Sequence, residues 1–561
     1  MGIDAGAGGP VQFPLTEPRT SPRTPRRTDG RAGVGAAGSP SGQPASAWSS
    51  PVTWLVAVIP GVLGLITGFY RVNVPSLWGD EGVTKAMAAR SVSELLATMP
   101  HDDVVHGAYY LVVHVVEAVA GSSTAALRLP SVVAMAVAAT FTALIARRLA
   151  ALAGSPYPAI TGLVAGMLFA LLPCVITYAQ EARSYAIVTM LAAITTYLLL
   201  KAACEGGRWW IAYGMVAALT GLLNIFGLLI LLAHGVSILI AGRGLPGLSG
   251  RRVAGVPARW VFAGVGAVVV LIPLVASAYA QRAALAWMTG PPPIGGSAVA
   301  LARMWAGSPH LVWPVFGLAA FGVAADAATY WRRRPPVTPG SVALPWMVVP
   351  PAVLLVVSQV HPLYESRYVE YCLPALAILV AWGLTWLARV AAVPLLRRAG
   401  LAWLGWLPPA AVMVLLVVML IPAGAKVRLP NSRPDNLAAE SQIVAANAKP
   451  GDIAFFIPIS YRPVSAEFPA QWRKLRDIAL AESAVASDTL YGIDVSPAEL
   501  LKRFTNVARV WVYSAPSDSS YLRSARATPV DREEAWLVSR MERVRQWRDG
   551  DKLLTLYQVR R

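Results

Sequence analysis

Between Pro51 and Pro422 the chain returns repeatedly to apolar runs of about 20 residues, the length a helix needs to cross the hydrocarbon core of a bilayer. The rest of the composition agrees. Hydrophobic residues make up 56% of the 561 and charged residues only 14%, with a mean hydropathy of +0.53. A soluble protein carries roughly 25% charged residues, so an ordinary globular enzyme and a disordered chain are both excluded. The pattern is that of an α-helical polytopic membrane protein. The net charge of +18 does not point to nucleic acid, because much of it lies in short loops between apolar runs, where membrane topology accounts for it. Cys174, Cys204 and Cys372 stand in or beside apolar runs at unrelated spacings, which gives neither a metal motif nor a disulfide framework.

Residues 1–50 are rich in Gly, Pro, Ser and Arg. They read as a disordered basic cytoplasmic tail that places the N-terminus inside. Twelve apolar runs follow, at about 52–70, 105–120, 127–148, 158–177, 185–203, 209–222, 225–241, 259–279, 311–330, 342–360, 371–392 and 402–422. If all twelve crossed, Arg147-Arg148, Arg243, Arg251, Arg252, Arg259 and Arg332–Arg334 would lie outside. Dropping 105–120 puts all of these inside, together with Lys201, Arg208, Arg397 and Arg398. That run is also short and carries His106, His114 and Glu117, so it reads as a juxtamembrane helix on the outer face. The expectation is about 11 transmembrane helices within 51–423 and an extracytoplasmic C-terminus. Residues 424–561 lose the long apolar runs and carry charges of both signs. Ile453–Ile459 and Ala508–Tyr513 read there as short buried strands, and Leu437–Ala446, Ser496–Phe504 and Arg532–Arg543 as helices, which makes a small α/β domain.

The spans are nearly free of ionisable residues. His234 is the main exception and reads as a hydrogen-bonded packing residue, while Arg128, Asp326 and Arg389 lie near span ends. Ion-coupled transporters place carboxylates and basic residues at mid-membrane, so transport is disfavoured. The polar residues concentrate instead in three outer loops. The first contains Trp78-Gly79-Asp80-Glu81-Gly82, a capping box at Ser91–Glu94, then His101, Asp102, Asp103, His106, Tyr109 and Tyr110. Its plain structural account is that Asp80 caps a short helix over 81–90. The second loop holds Glu181, Arg183 and Tyr185; the third holds His361, Arg367 and Tyr368. Singly, each reads as interfacial anchoring. Their agreement on one face of the membrane marks a candidate site.

At these residues the chain resembles the bacterial GT-C glycosyltransferases of the glycosyltransferase family 39 type. That group is similar to the dolichyl-phosphate-mannose protein mannosyltransferases and to the aminoarabinose transferases of lipid A. The matching pieces, in order, are WGDEG (78–82), VHGAYYLVVH (105–114), ALRLPSV (126–132), YAQEARSYA (178–186) and SRYVEYCLPAL (366–376). One departure is that many relatives carry His-Pro-Pro where this chain has His106-Gly107-Ala108. The resemblance implies a GT-C membrane fold, juxtamembrane helices after the first outer loop, and a catalytic acid in that loop. The acid maps to Asp80, with Glu81 in the same motif.

An enzyme working on the outer face cannot draw on cytoplasmic nucleotide sugars. The expected donor is therefore a sugar on a polyprenyl phosphate, mannose first, and the acceptor a hydroxyl of a glycan, lipid or protein. Asp80 would act as general base in a single, inverting displacement. Arg183, Arg367, Tyr368 and His106 are the candidates for binding the departing phosphate, since a guanidinium fork offers phosphate two hydrogen bonds. Asp102, Asp103, Tyr109, Glu181, Tyr185 and His361 complete the candidate set. No ligand spacing demands a metal, and a divalent cation near Asp80, Glu81 and Asp102 stays open. The readings kept beside this one are an arabinosyl transferase using a polyprenyl-phosphate pentose, an envelope lipid or polymer transporter, and a non-catalytic scaffold. Each places the chain in the plasma membrane among lipids, with no nucleic-acid partner. The C-terminal domain is expected to cover the mouth of the site and help hold the acceptor without contributing chemistry.

Overall fold

A computed structural model describes residues 51–242, 250–285, 288, 290–392, 398–515, 518–524, 526–549 and 552–560. The basic tail expected over 1–50, and Arg243 and Arg397 of the charge argument, lie outside these residues. Among the described residues, seven helices are long and apolar enough to cross a bilayer. They are Pro51–Phe69, Thr124–Leu152, Tyr185–Glu205, Pro309–Arg333, Pro339–Val357, Ser366–Ala391 and Ala402–Lys426. Two further expected spans are bent. Pro158–Leu171 meets Pro173–Ala179 at 62°, and Gly255–Val270 meets Ile272–Ala280 at 45°. Pro173 and Pro273 sit at these breaks and lack the N–H that would continue the helical ladder. Counting each bent pair once gives nine spans. The remaining two expected positions hold shorter apolar helices, Trp209–Leu223 and Ile225–Ala241. The run at 105–120 is a 3-10 turn followed by the helix Gly107–Ala120, also below span length.

Ser366–Ala391 is the central helix. Of its most apolar stretch 89% is buried, against 22% for Ala402–Lys426 at the periphery. Glycine permits the closest approach to it. A Cβ at Gly322, on Pro309–Arg333, would lie 2.0 Å from the Leu379 carbonyl oxygen. His234 is fully buried, 3.0 Å from the Thr196 hydroxyl and 3.0 Å from the Tyr213 hydroxyl, a hydrogen-bonded packing residue as expected.

The C-terminal domain is an α/β unit built on a five-stranded sheet of order β2-β1-β5-β7-β6. The strands are β1 (Asp452–Phe456), β2 (Leu475–Asp477), β5 (Arg509–Ser514), β6 (Glu542–Asp549) and β7 (Lys552–Gln558); β3 (Leu480–Glu482) and β4 (Ile493–Asp494) form a separate pair. β1 runs parallel to β2 and β5, while β7 is antiparallel to β5 and β6. Every residue of β1 is buried because the sheet is covered on both faces. Ile453, Phe455, Val510 and Val512 point into one core with Leu500 and Leu537; Ala454, Phe456, Trp511 and Tyr513 point into the other with Leu437 and Val444. The helices Leu437–Asn447 and Pro497–Arg503 lie where the sequence puts them, the second capped by the Ser496 hydroxyl. The expected helix 532–543 is corrected. A capping box between Thr528 and Asp531 starts the helix at Pro529, it ends at Ser539, and Glu542–Asp549 is the edge strand. Charges on that strand mimic a polar helix, yet they are also what guards an open sheet edge.

Candidate active site

The helix carrying the acidic pair spans Gly79–Ala88, with Trp78 in the capping position and no side-chain cap from within the helix. Asp80 therefore does not cap it, contrary to the plain structural account. The first free N–H, that of Gly79, is taken by Asp435 Oδ1 at 3.0 Å, an acceptor 356 residues away. The side chain of Asp80 is thereby left to the site.

Glu81 and Asp80 point into different environments. Glu81 is fully buried and paired with the fully buried Arg128: Nε donates to Oε1 at 2.8 Å and Nη2 to Oε2 at 2.7 Å. Oε1 also accepts the Ala182 N–H at 2.8 Å. The same guanidinium donates to the carbonyls of Val72, Pro75 and Ser76 at 2.7, 2.9 and 3.0 Å. One ion pair thus ties the loop after Pro51–Phe69, the loop before Tyr185–Glu205 and the span Thr124–Leu152 into a single piece.

Asp80 stands at the edge of this piece with a third of its side chain exposed. Arg367 Nη1 donates to its Oδ2 at 3.2 Å, and Arg183 Nε lies 3.9 Å from the same oxygen. The Nε groups of both arginines are buried and lack a hydrogen-bond acceptor. Arg367 also covers the face of Trp78, 5.7 Å from the ring centre. Arg183 Nη2 donates to His106 Nε2 at 2.8 Å, and His106 Nδ1 meets Asp103 Oδ1 at 2.6 Å. These two bonds fix the tautomer, since Nε2 must offer its lone pair to arginine and Nδ1–H must then donate to Asp103. Asp103 also accepts the Tyr110 hydroxyl. Burial opposes the charge on Asp103, but His106, Arg183 and Tyr110 outweigh it and hold the carboxyl below its ordinary range. The structure brings Asp80, His106, Asp103, Arg183 and Arg367 together in one chain of contacts.

The other candidates divide. Tyr185 and Tyr368 are neighbours, ring centres 6.4 Å apart, and Tyr368 stacks on Phe226 at 5.0 Å. Glu181 is buried beside the site with Oε1 unpartnered; burial pushes it up to about 7, with Arg433 opposing and Glu81 and Asp80 adding. Tyr109 is fully buried in the main apolar core. Asp102 turns away and accepts the Leu490 N–H at 3.2 Å; burial raises it above the usual range. His361 is exposed and enters none of these contacts. Among the described residues no group of three or more His, Cys, Asp or Glu side chains converges on a point that could hold a cation. Asp80, Glu81 and Asp102 do not fit one.

Several residues here escaped the sequence reading. Arg128 looked like a span-end residue, although ALRLPSV carried it among the matching pieces. The C-terminal region supplies others. Arg433 donates to the Thr177 and Gln180 carbonyls at 3.1 and 2.8 Å. Arg428 donates to those of Thr67, Tyr70 and Gly424 at 2.6, 3.2 and 2.6 Å. Glu467 is buried with both carboxylate oxygens unpartnered, and a Cβ at Gly82 would lie 2.4 Å from one of them. The last glycine of WGDEG thus makes room for the C-terminal domain. Burial pushes Glu467 up to about 8, with Glu81 and Asp435 adding and Lys85 opposing.

No family profile and no curated protein sequence matches the chain. Solved structures do. ArnT from Cupriavidus metallidurans bound to undecaprenyl phosphate is similar with a TM-score of 0.53 at 15% identity, over 90% of this chain and 98% of that one. Its apo state gives 0.51 at 15%, over 90% and 97%. The archaeal oligosaccharyltransferase AglB from Archaeoglobus fulgidus, in complex with an inhibitory peptide and a dolichol-phosphate, gives 0.48 at 11%, over 90% and 74%. The likeness to ArnT runs over nearly the whole length of both chains and makes the fold GT-C.

Proposed function

We propose that the chain is a membrane glycosyltransferase of the plasma membrane. In this reading it moves a sugar, mannose first, from a polyprenyl phosphate to an acceptor hydroxyl of a glycan, lipid or protein on the outer face. The observation that carries this is the partly exposed Asp80 carboxylate facing two arginines whose buried Nε groups have no acceptor. Buried donors without acceptors are rare and costly, so the site is built for a further anion. A phosphate entering there draws the two guanidinium forks to itself and releases the Asp80 carboxylate toward the acceptor. The acceptor oxygen then attacks the anomeric carbon and Asp80 takes its proton. The bond from that carbon to the phosphate oxygen breaks, and polyprenyl phosphate leaves with the electron pair, its charge met by Arg183 and Arg367. One displacement inverts the anomeric centre. His106 and Asp103 act as positioning residues for Arg183, and Arg128 does so for Glu81 and the Asp80 helix. Support also comes from the GT-C fold and the matched motifs.

The test uses the full chain in lipid nanodiscs with polyprenyl-phosphate mannose and the corresponding arabinose. Polyprenyl phosphate released by the wild type but not by Asp80→Asn supports the reading. Release from the arabinosyl donor alone transfers it to the arabinosyl alternative, and release from neither overturns it.

A further inference from the structure

The loop 483–492, between β3 and β4, reaches back from the C-terminal domain onto the membrane body. Arg90 Nη2 donates to the Thr489 carbonyl at 2.7 Å, and Leu490 donates its N–H to Asp102 Oδ2 at 3.2 Å while its side chain packs on the membrane core. From the other side Arg462 Nη1 donates to the Tyr491 carbonyl at 3.0 Å. Arg462 is itself held by Asp477 at 2.7 Å and Asp494 at 2.5 Å. Three successive main-chain groups are therefore fixed from both bodies, and Tyr491 is the last of them. The Tyr491 phenol lies within electrostatic reach of Asp103, Asp102, Asp80 and Arg183. Its hydroxyl makes no hydrogen bond among the described residues, and the residue is half-buried. Tyr110 on the same site, by contrast, spends its hydroxyl on Asp103.

A pyranose or furanose offers C–H faces as well as hydroxyls. The membrane side of the site supplies carboxylates and guanidinium groups for hydroxyls and phosphate. Tyr491 supplies, from the opposite body, an aromatic face with a polar tip, the combination that meets both parts of a sugar. We propose that Tyr491 forms the wall against which the transferred sugar rests, its ring on a C–H face and its hydroxyl on one sugar hydroxyl. The C-terminal domain thereby sets which sugar is accepted. This rests on the reading of the site as a polyprenyl-phosphate sugar transferase. Tyr491 binds and selects; the proton still goes to Asp80.

Two measurements on the full chain test this. Tyr491→Cys in a Cys204→Ser background leaves Cys174 and Cys372 buried, so a maleimide reports on position 491. Labelling is expected to slow with polyprenyl-phosphate mannose and not with polyprenyl phosphate of the same length. Tyr491→Phe keeps the ring and removes the hydroxyl. It is expected to change the ratio of kcat/KM between mannosyl and glucosyl donors by about tenfold, the contribution of one hydrogen bond to a substrate hydroxyl, with competition by bare polyprenyl phosphate unchanged. If the wild type transfers sugar while labelling ignores the donor and the ratio stays put, this inference falls alone. If no donor is turned over yet the mannosyl donor still protects position 491, the transferase reading falls and the sugar wall stands.

Discussion

A carboxylate in the first turn of a helix would ordinarily be read as a capping group, and Asp80 is relieved of that duty. Asp435 holds the Gly79 N–H instead, and Arg367 and Arg183 face the Asp80 carboxylate. Asp80→Asn keeps the shape and a hydrogen-bonding oxygen but cannot take a proton. We expect normal insertion and thermal unfolding with transfer cut at least about 10²-fold; near-normal turnover would falsify the assignment. Arg367→Lys keeps the charge and loses the planar fork and its stacking on Trp78. It should raise the KM for the lipid donor more than that for the acceptor, and an unchanged donor KM would place the phosphate elsewhere. Asp80, Arg183 and Arg367 could be found in the sequence because each sits in a polar loop beside an apolar run, where a charge stands out. The division of labour between Asp80 and Glu81 could not, since it depends on Arg128, 47 residues away and looking like a span-end cation.

Between elements, the Glu81–Arg128 pair does what no local sequence signal announces. It is fully buried, and the guanidinium also satisfies three loop carbonyls. Arg128→Met leaves the Glu81 carboxylate and those carbonyls without their donors. Losing one partner of a buried pair costs about 3–5 kcal/mol, so a large drop in thermal midpoint is expected in detergent. A change below about 1 kcal/mol, the range of exposed pairs, would mean that water reaches the pair. The membrane helices were legible because their apolar runs are long; the bends were not, because proline at a helix start and proline at a break look alike in sequence. In the C-terminal domain, β1 and β5 were legible as buried runs. β6 was not, because its exposed, charged residues serve an edge that only the assembled sheet defines.

At the scale of the whole molecule, the C-terminal domain rests on the Asp80 helix through a carboxyl group. Glu467 is held near 8 in the folded chain, against an ordinary value of 4.5. Between those values the folded state keeps a proton that the unfolded state has lost, so stability falls as pH rises through that window. Glu467→Gln carries no such proton. Its thermal midpoint should decline less than that of the wild type between pH 5 and 8, and parallel curves would show the carboxyl to be solvated. Orientation in the membrane is a separate matter, read from arginines in the loops. Pro100→Cys and Glu365→Cys should react with an impermeant thiol reagent added to intact cells, and Arg333→Cys should not. Labelling at 333 would restore a twelve-span path.

Arg428 and Arg433 follow the last span in sequence, yet they close carbonyl groups at the ends of Pro51–Phe69 and Pro173–Ala179. The stretch from Gly424 to Asp435 is therefore the mortar of the membrane body rather than the first course of the domain beyond it. Anyone exchanging C-terminal domains between such proteins should cut after Asp435. A junction at Gly424 leaves the recipient with open carbonyls and a helix start that nothing caps, whatever domain is attached.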